Sequence, residues 1–142
     1  MNLFAGQSRE ALRASYREAW RKWRERRPLQ PLEAQIADVV AAHPQYHLLL
    51  QSHAGLEQEF ALEDASENPF LHMGLHLALR EQVSTDRPRG IASIHQRLAA
   101  TRHGAHAAEH RMIEVLMTML GEAQRSGHAP DESLYLERLQ RL

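Results

Sequence analysis

Apolar residues in this chain recur at intervals of three and four, seldom of two, and β-branched residues are few. That rhythm lays a stripe along one face of a helix and cannot alternate across a strand. The 142 residues are therefore predicted to form a single all-α domain, a helical bundle of five to seven helices. Ser8 is placed to cap a first helix reaching about residue 27, with Leu12, Tyr16, Trp20 and Trp23 as its apolar stripe. Pro28 and Pro31 break it, and a second helix begins near Leu32 with the stripe Leu32, Ile36, Val39, Val40; the next position in that rhythm is His43. Pro44 opens a short helix to about residue 51, which places His47 and Leu50 on the side of His43. Residues 52–67 hold five carboxylates and a glycine and read as a connecting loop. Asn68-Pro69 is a strong helix start, and the helix it begins, to about residue 83, is apolar on nearly every side. Asp86-Arg87-Pro88 ends it. Further helices are expected over about 91–102, 105–125 and 131–141.

Ten histidines punctuate these helices. His43 and His47, His72 and His76, and His106 and His110 form three pairs spaced four apart, and Glu114 extends the last by one turn. Residues four apart share a helix face, so each pair can aim two imidazoles at one place, and neutral imidazole is the commonest metal ligand. At about 100° per residue, His72 and His76 fall beside Leu79 and Val83, inside the apolar arc. His106, His110 and Met117 share one edge of the face built by Ile113, Leu116 and Leu120; Glu114 lies on its border and Glu109 points toward its middle. Leaving a buried polar group unpaired costs about 1–3 kcal/mol. A common metal ion would satisfy several at once. The competing explanation, that each pair is a hydrogen-bonded core or surface pair, is the commoner one for any single pair; three pairs on apolar faces reverse the balance. The expected shell is His43, His47, His72, His76, His106, His110 and Glu114, holding one or two ions of iron, manganese or zinc. His53, His95, His103 and His128 fall at loop or exposed positions.

The absence of cysteine excludes disulfides and thiolate ligands, and it suits the cytoplasm. No apolar run approaches the ~20 residues of a membrane span, and the charged first 27 residues contain no secretory segment. A formal net charge of -1 argues against nucleic acid or membrane as a general partner; a homo-oligomer remains open, and no substrate is indicated. HExxH, P-loop and GxSxG motifs are missing, so protease, NTPase and hydrolase templates do not apply. Were the chain an enzyme, the metal would act as Lewis acid or activate water, with Glu109 or Glu114 as proton acceptor. Alternatively the ion is structural.

His43-Pro44-Gln45-Tyr46-His47, the run Asn68 through Leu77, and His106 through Met112 followed by Glu114 together resemble a bacterial family, the domain of unknown function numbered 1841. The resemblance spans almost the whole chain and implies a small helical bacterial protein of undefined activity with histidines at these positions. The predominance of arginine, with Lys22 the only lysine, also suits a GC-rich bacterial source. At a looser level the paired histidines look like hemerythrin and DinB-type bundles that hold non-haem metal.

Residues 1–30 carry eight Lys/Arg against three Glu, a local charge of +5, while residues 31–86 carry one Arg and nine acids, or -8. Arg21, Lys22, Arg24, Arg26 and Arg27 flank Trp20 and Trp23. One reading is a patch that docks an acidic protein or RNA, making the chain an interaction module with structural histidines. The other, favoured because both tryptophans continue the core stripe, packs them inward beneath a solvated basic face.

Overall fold

A computed structural model of the chain describes residues 8–52 and 68–142. Among these, seven α-helices and one 3-10 turn are formed: α1 (Arg9–Arg24), α2 (Pro31–Ala41), the 3-10 turn (Pro44–Tyr46), α3 (His47–Gln51), α4 (Pro69–Thr85), α5 (Ile91–Ala99), α6 (Gly104–Ser126) and α7 (Glu132–Gln140). The all-α expectation holds. Residues 53–67, most of the expected loop and His53 with it, lie outside the described residues. No described helix is long and apolar enough to cross a membrane.

Local chemistry sets the helix starts. The Ser8 side chain accepts from the Ala11 N–H (3.1 Å), and Pro31 occupies the first turn of α2 behind a Gln30/Glu33 capping box. Asn68 Oδ1 accepts from the N–H groups of Phe70 and Leu71 at 3.1 and 3.2 Å, and Asp131 caps α7 through Leu134 (3.1 Å).

The chain divides into two compact units, Met1–Leu77 and Ala78–Leu142. In the first, α1 packs on α2 and α3 around Tyr16, Ala19, Trp20, Ile36, Val39, Val40, Leu50, Phe70, Met73 and Leu77. Tyr16 meets Phe70 edge-on at 5.8 Å, and the buried Arg13 guanidinium lies 4.8 Å from the same ring, a cation–π contact. In the second, α5, α6 and α7 pack on one another, and Ile91, Ile94, Leu98, Met112, Ile113, Leu116, Tyr135 and Leu139 are buried. Leu120, expected on the α6 core face, is exposed.

Two helix ends use a left-handed residue other than glycine. After α1, Arg26 (φ 57°) donates its N–H to Trp23 O (3.1 Å) while Arg27 donates to Lys22 O (2.9 Å), the paired bonds of a Schellman motif. After α4, Asp86 (φ 50°) does the same with Val83 and Gln82. Asp86 has a reason to be there: its carboxylate accepts from Gly90 N and Ala92 N, both at 3.0 Å, capping the start of α5. Arg26 makes no such cap, and the position suits glycine better. Arg26→Gly is expected to raise stability by roughly 0.5–1 kcal/mol, after glycine's greater chain entropy is set against the left-handed penalty. The check is the urea midpoint; a lower midpoint would show that the Arg26 side chain stabilises the fold.

Candidate metal centre

The first part of the centre is built by a helix end. The last carbonyls of any helix lack intrahelical partners, and α2 is stopped by Pro44, which has no N–H to offer Val40. The His43 N–H, which in a continuing helix would close on Val39, turns instead to Val40 O (2.9 Å). Two imidazoles meet the deficit. His43 Nδ1 donates to Val39 O (2.7 Å), and His47 Nε2 donates to Val40 O (2.8 Å). A carbonyl only accepts, so each of those nitrogens carries the hydrogen. The two histidines of the motif thus face opposite fates. His43 is left with an Nε2 that carries no hydrogen and can donate to a metal, while His47 has spent its Nε2 and lies on the Trp20 ring, 4.3 Å away. His43 is fully buried and stacked on Tyr46 (5.5 Å between centroids, 6° between planes). Burial pushes the Tyr46 hydroxyl above its ordinary pKa, with a bond to Gln45 acting the other way.

From α4, His72 and the fully buried His76 approach this ring one helical turn apart. His72 Nε2 lies 3.1 Å from His43 Nε2 and 3.1 Å from His76 Nε2. The rings stand nearly perpendicular: 4.9 Å and 80° for His43–His72, and 4.7 Å and 77° for His72–His76. Hydrogen bonding alone accounts poorly for this. A single hydrogen on His72 Nε2 cannot lie along both contacts, and His43 Nε2 has none to give. With metal–nitrogen bonds of about 2.0–2.1 Å, two nitrogens 3.1 Å apart subtend about 98° at an ion, between the octahedral and tetrahedral angles. The spacing is that of ligands sharing one cation.

In α6, His106 and His110 are one turn apart with ring centroids 4.3 Å from each other; His106 is exposed and His110 half-buried. Glu109, between them in sequence, is buried and accepts from Arg80 Nε (2.8 Å) and Nη2 (3.3 Å). Glu114 is exposed. Within the first unit, His43, His72 and His76 converge in a cluster that could hold a metal ion.

Of the seven expected ligands, the structure brings His43, His72 and His76 together in the first unit and pairs His106 with His110 in the second. It turns His47 toward a backbone carbonyl and leaves Glu114 outside. His95 is half-buried, and His103 and His128 are exposed. Sequence reasoning missed the Arg80–Glu109 pair. Its signal was present: Arg80 is the only Lys or Arg among residues 31–86, and it directly follows the apolar run Leu77–Leu79. Trp23 also departs from expectation. It is 48% exposed where Trp20 is 5% exposed, although at about 100° per residue it lies within about 20° of the buried Tyr16. It stacks on Trp20 at 4.9 Å, with 8° between the planes.

No curated protein matches the chain, and no solved structure does. A family model covers nearly all of it, over the same His-Pro, Asn-Pro and α6 segments that carry the histidines. The chain belongs to the family described as a domain of unknown function (DUF1841), whose model matches residues 8–141.

Proposed function

We propose that this protein binds a single transition-metal ion through His43, His72 and His76. The observation that carries the reading is the convergence of three imidazole Nε2 atoms at 3.1 Å spacings, one of them held in the metal-binding tautomer by the Val39 carbonyl. Backbone fixing of the far ring nitrogen is the usual device by which proteins orient a metal-bound histidine. Three donors at such spacings support one ion rather than two.

A donor set of imidazoles without carboxylate favours zinc or iron over manganese, which prefers oxygen. Three imidazoles leave one position of a tetrahedral shell for water or a further donor; the full burial of His43 and His76 favours a structural or sensing ion. Glu109 does not compete as a proton acceptor, because both its oxygens are engaged by Arg80.

Elemental analysis of protein purified without a histidine tag tests this directly. About one equivalent of zinc or iron is expected, removable by chelator and restored on addition of the metal. Because an ion that binds only the folded state stabilises it by about 2.7 kcal/mol at 100 times its Kd, the stripped protein should also melt at lower temperature. Protein that carries no metal and takes none up would end the proposal. Metal present without any change in melting would remove the structural role.

A further inference from the structure

Just past the last turn of α1 the chain forms an open pocket of about 650 Å³ lined by Trp23, Arg24, Arg26, Arg27 and Leu29. It belongs wholly to the first unit and uses none of the histidines of the metal centre. Three features give it a chemistry. An aromatic face is presented to solvent and yet held in place: Trp23 is about half exposed but lies flat on Trp20, which is itself buried against the His47 ring. A ring already ordered loses little freedom when something stacks on it.

The second feature is uncommitted positive charge. Arg21 is occupied by Glu18 (2.7 Å) and Glu25 (3.3 Å), Lys22 by Glu33 (2.8 Å), and Arg27 lies 3.7 Å from Glu25. The bonds to Arg21 and Lys22 hold the Glu18 and Glu33 carboxyls below their ordinary pKa, so those cations stay neutralised. Among the described residues, Arg24 and Arg26 have no carboxylate partner. The third feature is where Arg26 sits. Favourable interaction with the helix C-terminus explains basic residues in the last turn, but Arg26 lies beyond it, in a left-handed conformation that glycine adopts more easily. The fold gains nothing from arginine there, whereas the pocket gains a guanidinium.

We propose that this pocket binds a nucleoside phosphate, the base stacked on Trp23 and the phosphate held by Arg24 and Arg26. Planar guanidinium groups match phosphate oxygens in paired hydrogen bonds, and an indole face stacks any base with little sequence preference. The volume lies within the ~300–1,000 Å³ of small-molecule pockets, which is room for one nucleotide. The case against nucleic-acid chemistry rested partly on both tryptophans packing inward, and the exposure of Trp23 removes that support.

The test is calorimetric titration of the full chain with AMP, adenosine and inorganic phosphate, while the two tryptophan indole N–H resonances are followed by NMR and assigned with Trp23→Phe. AMP is expected to bind at least about tenfold more tightly than adenosine or phosphate alone, with affinity falling as salt rises, and to shift the Trp23 resonance. Arg26→Gly, which should fold at least as well as the parent, is expected to lose about tenfold or more in AMP affinity. A single-stranded oligonucleotide that binds no more tightly than AMP assigns the pocket to free nucleotides. The proposal is overturned if AMP does not bind, if Arg26→Gly binds it unchanged, or if an oligoglutamate peptide binds equally well. It is likewise overturned if the oligonucleotide binds where AMP does not, which would make the surface a strand-binding one.

Discussion

Replacing His76 with alanine should empty the metal centre. Losing only a hydrogen-bond partner behind a ligand typically weakens metal binding 10–100-fold, so loss of a buried donor is expected to cost about 100-fold or more. His76 is the most telling choice because it is fully buried and makes one of the 3.1 Å contacts. The informative comparison is with His47→Ala and Glu114→Ala. His47→Ala should retain a full equivalent while losing stability, since it removes one of the bonds to the Val40 carbonyl and the ring packed on Trp20. Glu114→Ala should change neither. Metal content after gel filtration, and affinity by competition with a chromophoric chelator, measure the difference. Full retention by His76→Ala would falsify the assignment; loss in Glu114→Ala would restore the carboxylate to the shell. Affinity should also fall as pH is lowered, because ligand imidazoles must give up a proton to the solvent before they bind.

The second large effect falls on stability. Trp20→Ala is expected to destabilise the protein by roughly 3–5 kcal/mol, the range for deleting a large buried aromatic, and to lower the melting temperature by about 10 °C or more. Trp20 is the common wall of the first unit: buried in its core, it carries the His47 ring on one contact and Trp23 on another. Trp23→Ala makes the natural control, because a half-exposed ring leaves little cavity behind, and its cost should stay near 1 kcal/mol. Thermal and urea unfolding of the two variants separates them. Equal losses would mean that the stacked pair acts as one body and that Trp23 contributes to the core despite its exposure.

Most of the helix boundaries were legible because their causes are local. Asn68-Pro69, Asp131 and Gly127 announce ends through chemistry within a turn of themselves, and the observed helices start or stop close to those residues. The histidine face was legible too, since spacing of four fixes which rings share a side. What spacing cannot say is which nitrogen of a ring is free. His43 and His47 look equivalent in sequence; they differ because each satisfies a different carbonyl with a different nitrogen, a consequence of Pro44 that follows only once the helix end is drawn in full. Helical angle set Glu109 toward the middle of its face and Glu114 on the border, but not what each would meet. Their separation depends on Arg80, 29 positions away, and no local rule supplies that partner. The exposure of Trp23 turns on how far along α1 the packing of α2 extends, which is a tertiary matter.

The bond from the His43 ring to the Val39 carbonyl carries a consequence for how the protein can vary. Its acceptor is main chain, so the orientation of a metal donor is written into a vacancy in backbone hydrogen bonding and not into the identity of any side chain behind it. Substituting Val39 with another residue of similar size would leave that instruction intact. Changing Pro44 would not, because a residue with an N–H could carry α2 onward and reclaim the carbonyls that now hold both rings. The proline, which makes neither bond, is in this sense the residue that tells the two histidines apart.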